Sequence, residues 1–99
     1  MARKADVFDP LLLSQARLGI ISTLMTRRSA SFSDLKTLLR LTQGNLGIHL
    51  QKLEQAGYVS VRKQFVKRKP KTTCSITRKG RGAFMRHVEQ LENVLRSRD

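Results

Sequence analysis

Cysteine, acidic side chains, aromatics and long apolar runs are all scarce in this sequence, and each scarcity removes a class of protein. Cys74 is the one cysteine in 99 residues, so no internal disulfide can form and a disulfide-stapled secreted scaffold is excluded. Tryptophan is absent, and the aromatics reduce to Phe8, Phe32, Tyr58, Phe65 and Phe84. Most of these fall at core-like positions, which leaves poor platforms for stacking single-stranded bases. The longest purely aliphatic run is Leu11-Leu12-Leu13, far below the ~20 residues that span a bilayer. No apolar segment precedes Asp9-Pro10, so the start does not read as a signal peptide, and a cytoplasmic location is expected. No repeat or Gly/Ser linker interrupts the chain, which is expected to form a single domain over 1–99.

Negative charge is scarce relative to positive: 7 Asp+Glu stand against 20 Lys+Arg, a net charge of +13. Asp6, Asp9, Asp34, Glu54, Glu89, Glu92 and Asp99 are scattered over helix starts, helix surfaces and termini. They offer no acid–base pair, so an enzyme is not expected. Cys74 has only His49 and His87 as soft companions, too few for a metal site, and no cofactor is expected. Cys74 itself reads as a small buried hydrophobe, with a redox-sensing thiol as the alternative. The cationic excess calls for a polyanionic partner.

What is present is 39% hydrophobic content in periodic clusters. Asp9-Pro10 suits a helix start, and Leu13, Leu18, Ile21, Leu24 and Met25 predict an apolar stripe over 10–26. Arg27-Arg28-Ser29-Ala30 then reads as a polar break. Ser33 is the expected N-cap of a second helix over 33–40, and Thr42 that of a third over 43–56. In this third helix Leu46, Leu50 and Leu53 span roughly 60° of a wheel turning ~100° per residue. Gly44, Ile48 and Gln51 lie opposite them, flanked by Asn45 and Lys52, and Gly57 reads as a left-handed C-cap. From Tyr58 the period changes to two, predicting a hairpin over 58–77 with Val59, Val61 and Phe65 in one strand and Cys74 and Ile76 in the other. Phe84, Val88, Leu91 and Leu95 restore helical spacing over 78–97. The fold class is therefore α+β, mainly helical: three helices, a two-stranded hairpin and a long last helix.

Ten basic residues and no acid lie between Gln55 and Val88: Arg62, Lys63, Lys67, Arg68, Lys69, Lys71, Arg78, Lys79, Arg81 and Arg86. Such self-repulsion is relieved when phosphates displace counterions. Phe32-Ser33-Asp34-Leu35-Lys36, Leu41-Thr42-Gln43-Gly44-Asn45-Leu46 and His49-Leu50-Gln51-Lys52-Leu53-Glu54-Gln55-Ala56-Gly57-Tyr58-Val59, followed by the hairpin, resemble short ArsR/MarR-like winged helix-turn-helix transcriptional regulators. The resemblance runs from Arg17 to Arg81.

It implies a three-helix core, a two-stranded β wing and a C-terminal dimerisation helix, with the 43–56 helix entering the major groove. Gln43 and Asn45 carry amides that pair with adenine, while Lys52 reaches guanine or phosphate. Gly44 and Gly47 either permit close approach to DNA or, for Gly44, make the tight turn into the helix. Ile48 meets a thymine methyl or is simply exposed. His49, at the edge of the apolar stripe, reads as a packing or phosphate-contacting residue. On the wing Arg68 is expected in the minor groove, with Lys67, Lys69 and Lys71 on phosphates and Arg62 beside them. Ser33, Thr42 and Thr72 are neutral phosphate donors, each also with a structural role available. Leu11, Leu12, Phe84, Val88, Leu91 and Leu95 are the expected dimer interface, and any small-molecule effector would have to sit there. The function expected is a sequence-specific double-stranded DNA-binding transcriptional regulator, a homodimeric repressor on a pseudo-palindromic operator. The alternatives are a non-specific nucleic-acid-coating protein and a protein-interaction winged helix.

Overall fold

The computed structural model describes residues 8–96; the predicted helix end at 97 lies outside them. A 3-10 turn (Pro10–Leu12) leads into α1 (Gln15–Arg27), β1 (Ser29–Ser31), α2 (Phe32–Leu39), α3 (Gln43–Gln55), β2 (Val59–Val66), β3 (Lys69–Ile76) and α4 (Arg78–Arg96). Helices α1 to α3 pack around Ile20, Ile21, Leu24, Leu35, Leu46 and Leu53, all of them fully buried. Burying each such side chain contributes about 1.5–3 kcal/mol. Among the described residues no helix is long and apolar enough to cross a membrane.

The single opening helix expected over 10–26 is two elements. The Asp9 carboxylate accepts from the Leu11 amide at 3.0 Å, and i→i−3 bonds close the short turn. The chain then extends at Ser14, whose hydroxyl accepts from the Arg17 amide at 3.2 Å and starts α1 afresh. The break re-phases the stripe: Leu12 and Ile20 enter the core, and Leu13 is left 64% exposed. The expected cap at Ser33 moves likewise. Ser31, two residues earlier, accepts from the Asp34 amide at 3.0 Å, and α2 begins at Phe32, which packs on the core.

The expected polar break holds β1, which pairs antiparallel with β3 and sets Ala30 opposite Cys74. The sheet is thus three-stranded, in the order β1-β3-β2, rather than a bare hairpin. Three residues with two serines are too short to show a period.

Thr42 caps α3 through the Asn45 amide at 3.1 Å, and Leu46, Leu50 and Leu53 are its buried face, as their spacing predicts. The helix closes on Gly57 at φ 81°. The Tyr58 amide reaches the Leu53 carbonyl at 2.9 Å and the Gly57 amide that of Glu54 at 2.9 Å, a Schellman motif.

The strands of the wing run further than expected, leaving only Lys67 and Arg68 to turn, at φ 53° and 66°. Phe65, assigned to a strand's apolar face by alternation, is 77% exposed because the wing outruns the core beneath it. At the other end the Thr77 hydroxyl donates to the Gly57 carbonyl at 2.6 Å and accepts from the Gly80 amide at 3.0 Å, capping α4. The buried face of α4 is Gly80, Ala83 and His87, one residue round from the expected seam. Phe84 and Val88 are half-buried, and Leu91 and Leu95 are exposed.

Gly80 lies against the root of β2, where a Cβ would fall 2.1 Å from the Tyr58 carbonyl oxygen. Gly80→Ala should therefore destabilise the fold by about 1–3 kcal/mol or more in a denaturant titration, since backbone must move. Gly82→Ala meets only the mobile end of Arg86 and should be neutral or stabilising by up to ~1 kcal/mol. Equal effects of the two would contradict the crossing described here.

Candidate nucleic-acid interface

Leucine spacing in α3 buries one face and turns the other outward. Gln43, Gly44, Asn45, Ile48, Gln51 and Lys52 are exposed, with Ile48 at 54%. Nothing lies within 4 Å of a Cβ built on Gly44 or Gly47, so neither glycine is needed for internal packing. Two glycines cost a helix about 1 kcal/mol each relative to alanine, and what they leave is a low helix surface over the first two turns.

The wing stands beside this surface. Gln43, Gly47, Gln51 and Glu54 of α3 face Val61, Lys63 and Thr72 across an open cleft of about 470 Å³. A neighbouring cleft of about 620 Å³ is lined by Ser33 and Lys36 of α2, Gln43, and Val66, Lys69, Lys71 and Thr72 of the wing. The two share Phe32, Gln43 and Thr72. Lys36, Lys63, Lys69 and Lys71 thus face one trough, with Glu54 the single acid lining it. Alternation along β2 and one helical turn from Ser33 were the signals for Lys63 and Lys36, which the motif-based reading passed over.

The expected residues fall into three groups. Ser33, Gln43, Gly47, Gln51, Lys69, Lys71 and Thr72 come together in the trough. Gly44, Asn45, Ile48 and Lys52 occupy the exposed outer side of α3, and Arg62, Lys67 and Arg68 are exposed on the wing. Thr42 is exposed, but its oxygen is engaged in capping. His49 turns inward: its Nδ1 lies 3.2 Å from Nη1 of Arg17. A guanidinium only donates, so Nδ1 accepts and Nε2 carries the proton. Desolvation, then the charges of Arg17 and Lys52, hold its pKa below the usual histidine range, so His49 presents a neutral N–H donor. Arg17, which also donates from Nε to the Leu11 carbonyl at 2.8 Å, is the positioning residue the sequence did not reveal.

The expected dimer residues divide as well. Leu12 is 1% exposed and belongs to the protomer's own core, so it is unavailable to a partner. Leu11 and Phe84 pack partly buried against that core. Leu91 and Leu95 are 47% and 68% exposed, and Val94, unremarked in the sequence, is 57% exposed beside them.

A three-helix core with a basic β wing flanking an exposed helix defines a winged helix-turn-helix. A profile of the winged helix DNA-binding domain matches residues 16–95, and the chain belongs to that family. It is 40% identical over 78 residues to an uncharacterized protein of Methanocaldococcus jannaschii, covering 79% of this chain and 85% of that one. A solved transcriptional regulator homologue from Pyrococcus horikoshii is 37% identical with a TM-score of 0.82, over 90% of this chain and 88% of that one. A Mycobacterium tuberculosis transcriptional regulator solved in complex with DNA shares the fold at 20% identity and TM-score 0.68, over 87% of this chain and 61% of that one. The profile match makes residues 16–95 a DNA-binding domain.

Among the described residues no three His, Cys, Asp or Glu gather as a metal site. Cys74 is fully buried opposite Ala30. Burial first, and then the Glu54 charge, push its thiol up to about 11, which argues against the redox-sensing alternative. Iodoacetamide at pH 8 should label Cys74 at least ~10²-fold more slowly in the native protein than in guanidinium, because the thiolate is nearly absent. Comparable rates by mass spectrometry would show an accessible, activated thiol.

Proposed function

We propose that the chain is a sequence-specific regulator of double-stranded DNA that acts as a homodimer and represses by occupying a pseudo-palindromic site. The observation that carries this reading is the junction of two surfaces. The exposed strip Gly44, Asn45, Ile48 and Lys52 on α3 adjoins a lysine-lined trough shared with the wing. A helix with two glycines and amide side chains on its outer face suits base edges in the major groove. The trough suits the phosphate backbone that runs along that groove, and cationic Lys67 and Arg68 at the wing tip suit the next minor groove. Ser33, Lys36, Lys63, Lys69, Lys71 and the His49 N–H supply phosphate contacts in this arrangement.

Dimerisation follows from α4. Its buried stripe of Gly80, Ala83 and His87 continues along the same face toward Leu91 and Val94, with Leu95 alongside, where the protomer's core has ended. Two such stripes cover each other in a twofold pair. The pair then offers two recognition helices to major grooves one turn, ~34 Å, apart. Leu91→Asp should yield monomers by light scattering while leaving the melting temperature of the domain nearly unchanged. A dimer that persists would move the interface elsewhere.

Specificity is tested by fluorescence anisotropy on a pool-selected duplex and a random duplex across 50–300 mM salt. The selected site should retain a ~10³-fold or larger advantage while both lose affinity with salt. Asn45→Ala should erase preference at one base position, by about 1–3 kcal/mol. Equal affinities on both duplexes would instead make the chain a coating protein, and an unchanged selection profile would remove Asn45 from base reading.

A further inference from the structure

Resting on the DNA-binding reading above, we infer that Phe65, backed by Pro70, is an apolar wedge that inserts against the bases of the minor groove where the wing meets DNA. Phe65 is 77% exposed, the highest exposure among the large hydrophobic side chains of the described residues, and its neighbour Val66 is 41% exposed. Exposing a phenyl ring costs folding energy and gains nothing within the protomer.

Strand register says where this ring faces. Val61 lies opposite Cys74, Lys63 opposite Thr72, and Phe65 opposite Pro70, and directly opposed residues with a period of two share one face of a sheet. Val61, Lys63 and Thr72 line the trough against α3. Phe65 and Pro70 continue that same face outward by about 7 Å beyond Lys63, at ~3.3 Å per residue. Pro70 itself lines the outer cleft together with Val66, Lys69 and Lys71, and the Phe65 ring stands outside both clefts toward the tip of the wing.

Its surroundings name the occupant. Lys63, Lys67, Arg68, Lys69 and Lys71 flank the ring within the hairpin, and no acid occurs anywhere in β2, the turn or β3. A second copy of so cationic a hairpin, or a basic protein, is repelled from it, whereas a polyphosphate backbone is drawn in. The turn holds these cations at some cost. Lys67 and Arg68 both have positive φ, the signature of a type I′ turn, where glycine and asparagine are the usual occupants. The charged side chains are thus kept at positions whose backbone conformation disfavours any residue with a Cβ. Pro70 adds stiffness beside the ring. The pair next to a two-residue turn is hydrogen-bonded and the following pair is not, so Pro70 sits where its missing N–H breaks no bond to β2. A rigid hairpin with cations on the flanks and an exposed aromatic–proline pair next to its turn has the chemistry of apolar wedges that partly unstack minor-groove base steps.

The test uses the full chain and the duplex selected for it, with 2-aminopurine placed in turn at the steps flanking each half-site. Wild-type protein should brighten the probe at one flanking step, through unstacking, and Phe65→Ala should not. Phe65→Ala should also weaken binding about 5- to 50-fold with an unchanged salt slope, because an apolar contact releases no counterions. Arg68→Ala should instead lower the slope. Phe65→Leu should recover part of the affinity. As the ring is exposed, the melting temperature should stay within a degree or two. Affinity within twofold of wild type, or no brightening with wild-type protein, overturns the wedge and leaves the DNA-binding reading intact. A change in oxligomeric state for Phe65→Ala by light scattering overturns it in favour of a contact between copies. Failure of the wild-type chain to bind any duplex overturns the underlying reading instead.

Discussion

The exposed face of α3 and the basic wing are both referenced to one crossing of backbones, where Gly57 and Tyr58 pass against Thr77 and Gly80. The Schellman closure of α3 delivers the chain to the root of β2, and the Thr77 hydroxyl joins the Gly57 carbonyl to the Gly80 amide in the first turn of α4. The contact is close enough that Gly80 has no room for a side chain. Helix α3, the wing and α4 are thereby held in one orientation. Tyr58 reinforces the node: its hydroxyl donates to the Asp9 carboxylate, with Lys79 at 5.8 Å from its ring. Its burial, with the Asp9 bond and charge behind it, pushes the phenol up to about 12, so it stays protonated and donating throughout the physiological range.

From that node outward, internal packing gives way to charge. The core is supplied by leucine and isoleucine from three helices and closed by Cys74 and Ala30 across the short β1–β3 ladder. Beyond Val61 the wing has no core to cover: Lys63 takes the next position of that face, and Phe65 after it is exposed. Burial stabilises the inner half of the hairpin. Along the outer half like charges repel, and only an anionic partner offsets that. The same division appears in α4, whose first turns pack on the protomer and whose last turns carry Leu91, Val94 and Leu95 into solvent.

Both glycines of α3 and the His49–Arg17 pair show where stability yields to surface chemistry. Gly44 and Gly47 weaken α3 without relieving any internal clash. Arg17 is spent on holding an imidazole neutral and oriented. Neither arrangement improves packing, and both shape what α3 presents.

The linear sequence determined the parts whose signal is local. Leu46, Leu50 and Leu53 define the face of α3, Thr42 its start and Gly57 its end, because helical period, capping and left-handed backbone are properties of neighbouring residues. The density of cations between Gln55 and Val88 determined the sign of the partner in the same way. Tertiary structure alone decided what depends on distant residues. Asp9 and Ser14 both suit caps, and only packing of Leu12 settled that each starts its own turn. Ser29-Ala30-Ser31 becomes a strand solely because β3 lies beside it, and that strand moves the cap of α2 from Ser33 to Ser31. Phe65 obeys the alternation of a buried strand, yet burial requires something on the other side of it. Where the core ends is a fact of the assembled domain, which is why Leu12 turned inward and Phe65 turned to solvent.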